Sequence, residues 1–138
     1  MKQKIDGFIR LIRIKEYLFF VSITTLMGAS AGYGTFGWRL IGVLFANLLA
    51  VAFAFMINDV EDAPEDTLNP EKVLRNPVSA KHITRREAMN ATWVTGGLSM
   101  LTFSLLGFWP FVMGMPTLVV GFLYSWRRLR LKNLPFID

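Results

Sequence analysis

The sequence has no cysteine and a single histidine, His82. Without cysteine there is no disulfide framework and no thiolate chemistry. A lone histidine among basic loop residues, with nothing to pair it for metal or acid–base work, is expected at the surface. Charge is scarce as well. Charged residues make up 18% of the chain against 53% hydrophobic, and the mean hydropathy is +0.41. The scarcity is concentrated: residues 17–38, 40–58 and 88–126 carry no charge at all. A chain of 138 residues suits one ordinary soluble domain, but apolar runs of this length point to a membrane protein.

An apolar helix needs about 20 residues to cross the hydrocarbon core. The longest uncharged run holds 39 residues, enough for two spans, with "FWP" at 108–110 followed by Gly114 and Pro116 as the break. The expected architecture is therefore all-α: a single membrane domain over 1–138 with four transmembrane helices near 17–36, 38–57, 90–108 and 111–127. The first span is too long for the core of a cleavable signal peptide. Residues 2–16 put Ile5, Phe8, Ile9 and Ile12 on one helical face and basic residues on others, the pattern of a short interfacial helix that anchors the chain. The small-residue patches at 28–32 and at Gly96 and Gly97 are expected to let helices pack closely.

Lysine and arginine are unevenly placed. Of the 15, only Arg39 falls on one side of the four spans. The positive-inside rule puts both termini and the 58–89 loop in the cytoplasm. Trp38 and Trp109 then lie at the outer interface, Trp93 and Trp126 near the inner one. The net charge of +5 follows from this placement and from contact with anionic headgroups. With no stacking platform beside the basic residues, nucleic acid is excluded as a partner.

The acids are equally uneven. Five of ten, Asp59, Glu61, Asp62, Glu65 and Asp66, follow directly on the uncharged run that ends at Asn58. Offsets of three and four place Asp59, Asp62 and Asp66 on one face of a helix, with Asn58 beside them. Like charges so arranged destabilise a bare helix, and a divalent cation removes that cost. Mg2+ takes oxygen ligands, usually one or two carboxylates plus substrate phosphate oxygens. Pro64 is expected to kink the helix and to make the place of Asp66 less certain. The same proline, and the missing turn glycine, exclude an EF-hand loop.

"NDVEDAPED" at 58–66 resembles the first aspartate motif, N-D-x-x-D-x-x-x-D, of the UbiA superfamily of intramembrane prenyltransferases. "KVLRNPVSAKHITRREA" at 72–88 resembles the loop that follows that motif, though "RNP" stands where many members have R-P. "LYSWRRLRLKNLP" at 123–135 resembles the tyrosine-plus-basic stretch at the end of the fourth helix, and "FIRLIRIKEYLFF" fits the usual start. The resemblance implies Mg2+ held by Asn58, Asp59, Asp62 and Asp66 and bridging them to the diphosphate of an isoprenyl donor. It implies that Arg75 binds the diphosphate, with Tyr124 and Lys132 near the phosphates. Arg75 and Tyr124 also have plain readings, as a topology charge and a belt tyrosine, and Lys132 competes with Arg127, Arg128 and Arg130.

The family's members are about twice this length and carry a second aspartate motif, whereas no D-x-x-x-D follows Asp66 here. The resemblance is therefore to the N-terminal half, and the chain is expected to be a fragment or to need a second chain for the rest. Two functions follow: Mg2+-dependent transfer of an isoprenyl group to an unidentified acceptor in the bilayer, or a non-catalytic membrane protein that binds prenyl diphosphate or serves as an interaction subunit.

Overall fold

A computed structural model describes residues 2–32 and 34–126. Among these residues there are six helices: α1 (Lys2–Ile12), α2 (Ile14–Ala31), α3 (Trp38–Asp66), α4 (Pro70–Arg75), α5 (Arg85–Leu106) and α6 (Phe108–Ser125). There is no strand among the described residues, so the all-α expectation holds. Helices occupy all four positions expected for spans. Two of them, α3 and α6, are long and apolar enough to cross a membrane. α2 carries Lys15 and Glu16 in its first turn, and α5 mixes Thr92, Thr95, Ser99 and two glycines into its run, which lowers the apolar character of both.

α3 is the axis of the molecule and packs against each of the other five helices. Its 29 residues place Ala46, Ala50, Ala52, Phe53, Met56, Ile57 and Val60 in the interior. The expected kink at Pro64 does not end the helix. Proline removes one backbone donor, which frees the carbonyl of Val60 four residues earlier. Arg85 Nε reaches that carbonyl at 3.5 Å, and α3 continues to Asp66. The break in the long apolar tract falls at Gly107, just before "FWP". Gly107 has φ 123°, a region that a side chain rarely tolerates, and α6 starts at the next residue.

The anchor helix α1 does more than lie on a surface. Leu11 is fully buried with Val60, Ile83 and Ala88, while Ile5 and Ile9 stay exposed. Full burial of Leu11 and Ile83 contributes about 1.5–3 kcal/mol each. Gly7 permits the close approach, since a Cβ there would meet Ile83 Cγ2 at 2.9 Å. His82 packs over the same glycine and is half-buried, not a free surface residue. Its Nδ1 has no hydrogen-bond partner and lies 4.0 Å from Asp6 Oδ2. Of the small-residue patches, Gly96 seats the Phe53 ring, whereas Gly28 and Gly97 face open space within this chain.

The segment between α3 and α5 is tied down by caps. Asn69 Oδ1 accepts from Glu71 N and Pro70 opens α4, a favoured combination at a helix start. Thr84 and Glu87 form a reciprocal capping box that begins α5. Between them, Ser79 Oγ donates to the carbonyl of Ala63 at 2.9 Å and holds the 76–84 turn against the end of α3.

Candidate functional site

The last two turns of α3 place Asn58, Asp59, Asp62 and Asp66 along one small polar cavity of about 140 Å³. Arg13, Lys72, Arg75 and Asn76 complete its lining. The structure thus brings the four α3 residues and Arg75 to one cavity, even though Pro64 intervenes.

Asp59 is 5% exposed. Its Oδ1 accepts from Arg13 Nη1 at 3.1 Å. Its Oδ2 is buried with no hydrogen-bond partner. Asp59 lies just past the uncharged 40–58 stretch. Burial pushes its carboxyl up to about 6, with the Arg13 charge pulling the other way. Asp66 accepts from Asn76 Nδ2 at 2.9 Å and faces Lys72 Nζ at 3.7 Å. Glu61, two residues from Asp59, points elsewhere. It accepts from Arg85 Nη2 at 2.8 Å and joins α3 to α5.

Four lining or supporting residues went unrecognised in the sequence. Arg13 is one of five basic residues before the first span. Glu16, three positions on, pairs with it and also accepts from Arg75 Nη2 at 2.9 Å. That i,i+3 pair of opposite charges at the start of an apolar run was the available signal. Lys72 reads in the sequence as one more topology charge. Asn76 is the residue that departs from R-P. It is buried, donates to the Asp59 carbonyl at 2.8 Å as well as to Asp66, and accepts from Val78 N. The departure inserts an amide that fastens the loop to α3.

A larger groove of about 500 Å³ adjoins the polar cavity between α3 and α6. Arg13, Asn58 and Asp62 line both. Ala54, Phe55, Val120, Gly121 and Tyr124 give the groove its mainly apolar wall. Tyr124 is thus placed beside the acids but not inside the polar cavity. Lys132 lies outside the described residues.

Among the described residues no three acidic, histidine or cysteine side chains converge as a finished metal cage. The candidate donors are all oxygens, and one of them, Asp59 Oδ2, is buried without a partner. That set fits a hard divalent ion held by one or two carboxylates and completed by water and phosphate oxygens. The cations that line the same cavity, Arg13, Lys72 and Arg75, fit the phosphates themselves. Polar cavity and apolar groove together match a ligand with a charged head and a greasy tail. The model of the UbiA prenyltransferase family matches residues 19–138. No curated protein and no solved structure matches the chain.

Proposed function

This chain belongs to the UbiA prenyltransferase family, and from that premise we propose that its polar cavity binds the diphosphate of an isoprenyl donor with Mg2+, for transfer of the isoprenyl group to an acceptor within the membrane. The observation that carries the proposal is one polar cavity lined by Asp59, Asp62 and Asp66 together with Arg13 and Arg75, with the Oδ2 of Asp59 buried and unpartnered. Asn58, Asp59, Asp62 and Asp66 are the metal-side residues. Bound there, Mg2+ supplies Lewis-acid stabilisation of the departing pyrophosphate.

The chain's own groups do the rest. Arg75 neutralises phosphate oxygens, and Glu16 holds its guanidinium at the cavity. Tyr124 stands in the groove where the first isoprene unit passes the polar boundary. By its motif position Lys132 adds a further cation near the phosphates. The apolar wall from Phe55 to Val120 binds the tail and keeps water from the allylic carbon. The membrane setting suits this, since α3 and α6 are apolar enough to span. We extend it to four spans, with α2 and α5 as the other two and both termini and the 58–89 loop in the cytoplasm, on the strength of the lysine and arginine distribution.

The test uses purified chain in lipid nanodiscs, with farnesyl diphosphate and Mg2+ as the probe. Asp62→Ala and Arg75→Ala should each weaken binding at least about tenfold, 1.4 kcal/mol. Membrane insertion should be unchanged. Unaltered affinity in both variants removes the proposal.

A further inference from the structure

We infer that a second groove, between α5 and α6, binds an anionic phospholipid of the cytoplasmic leaflet, with Arg86 on the lipid phosphate and Trp93, Gly97 and Phe122 along one acyl chain. The site is separate from the polar cavity. It requires only that α5 and α6 span the bilayer with Arg86 on the cytoplasmic side, as read above.

The groove holds about 380 Å³ and shares no lining residue with the polar cavity or with the groove beside Tyr124. Phe53 of α3 forms its floor, and Trp93, Met100, Leu118 and Phe122 form its sides. Two adjacent glycines of α5 shape it differently. A Cβ on Gly96 would meet the Phe53 ring at 2.8 Å, so this glycine seats the floor. A Cβ on Gly97 would meet nothing within 4 Å, so this glycine leaves a slot open to the bilayer. Toward the cytoplasm the rings of Phe53, Trp93, Phe122 and Trp126 follow one another at centroid spacings of 5.9, 5.6 and 5.5 Å. Trp93 is half exposed on that series. Such a wall accepts an acyl chain of any lipid.

Charge selects the head. Steps of seven, four and three residues put Arg86, Trp93, Gly97 and Met100 on one face of α5. Arg86 lies two turns, about 10 Å, beyond Trp93 toward the cytoplasm. With the Trp93 indole at the interface, Arg86 reaches headgroup depth. Its bonding is also unlike that of the other described arginines. Arg10, Arg13, Arg75 and Arg85 each pair with a carboxylate, and Arg39 lies over the Trp38 ring. Arg86 is exposed and has no such partner among the described residues. Its neighbour Arg85 is spent on Glu61, and the adjacent acid, Glu87, is spent on Lys4 and Thr84. In sequence, Trp126 is followed by Arg127 and Arg128, with no acid before Asp138. A basic site between spans on the cytoplasmic side suits an anionic headgroup. A choline head brings a cation of its own and gains less.

The experiment uses the full chain with Trp93 as its only tryptophan (Trp38→Phe, Trp109→Phe, Trp126→Phe). It is placed in nanodiscs of phosphatidylcholine and phosphatidylglycerol in equal amounts. Bromine, a contact quencher of indole fluorescence, is carried on the acyl chains of one lipid or of the other. Brominated phosphatidylglycerol should act as if about fivefold enriched at Trp93, and the preference should shrink at high salt. Arg86→Gln should lower the enrichment to about twofold or less, and Arg86→Lys should keep it. Farnesyl diphosphate affinity should be unchanged in both. Gly97→Leu fills the slot and should lower quenching by phosphatidylglycerol with the melting temperature kept. Equal quenching by the two lipids in the unaltered chain overturns the site and leaves the spans standing. An enrichment that survives Arg86→Gln in full overturns it too. Quenching by neither lipid in a chain that cross-links as a dimer gives the groove to a second copy. Quenching by neither in a monomer removes α5 as a span together with the site.

Discussion

Asp59 and Glu61 stand two residues apart on α3, are 5% and 6% exposed, and meet opposite surroundings. Glu61 faces α5 and finds Arg85 at 2.8 Å, with the same arginine reaching the carbonyl that Pro64 freed. Asp59 faces the cavity, shares Arg13 with Glu16, and leaves one oxygen buried without a partner. Burial alone does not separate the two acids. What separates them is whether the fold completes the group's bonding. On the α5 face the chain satisfies its own charge, and the result is a helix joint. On the cavity face it leaves an expensive deficit that a ligand can relieve.

The contrast is sharpest in substitutions that keep shape and remove charge. Asp59→Asn should cost about 3 kcal/mol in Mg2+-dependent farnesyl diphosphate binding, roughly 100-fold. It should leave thermal stability unchanged or raised, because a buried carboxylate no longer has to be desolvated. Asn76→Ala should blur the contrast. It removes the bonds to the Asp59 carbonyl and to Asp66 at once, so stability and affinity should both fall, stability by about 2 kcal/mol in denaturant titration. Glu61→Gln should lower stability by about 1–2 kcal/mol, discounted because Arg85 is half exposed, and leave affinity untouched.

The smallest effect lies farthest from the cavity. Glu87, held by Lys4 and by the Thr84 cap, has its carboxyl lowered to about 2. A lowered carboxylate stabilises the fold above its unfolded value of about 4.3, and that contribution is lost as pH falls through about 2. Glu87→Gln should flatten the stability profile between about pH 5 and pH 2 without changing affinity at neutral pH.

Much of this was legible in the sequence because it is written in periodicity. The uncharged run 40–58 became most of α3, and the three-and-four spacing of Asp59, Asp62 and Asp66 became one cavity wall. Two kinds of feature were not legible. One is a single-residue backbone state. The left-handed turn at Arg13 has no glycine or asparagine to announce it, so a site residue read as one topology charge among five. The other is a long-range repair. Pro64 reads as a kink, and the carbonyl it frees is taken up by Arg85, 21 positions on. The interface role of Asn76 was hidden for the same reason, since its partners lie 10 and 17 residues away.

The most direct measurement sets Asp59→Asn beside Glu61→Gln in one preparation and reads both farnesyl diphosphate affinity with Mg2+ and the unfolding midpoint. A crossed result is predicted: affinity lost and midpoint kept for Asp59→Asn, affinity kept and midpoint lowered for Glu61→Gln. Equal losses of affinity and midpoint in both variants would contradict the division of α3 into a binding face and a joining face.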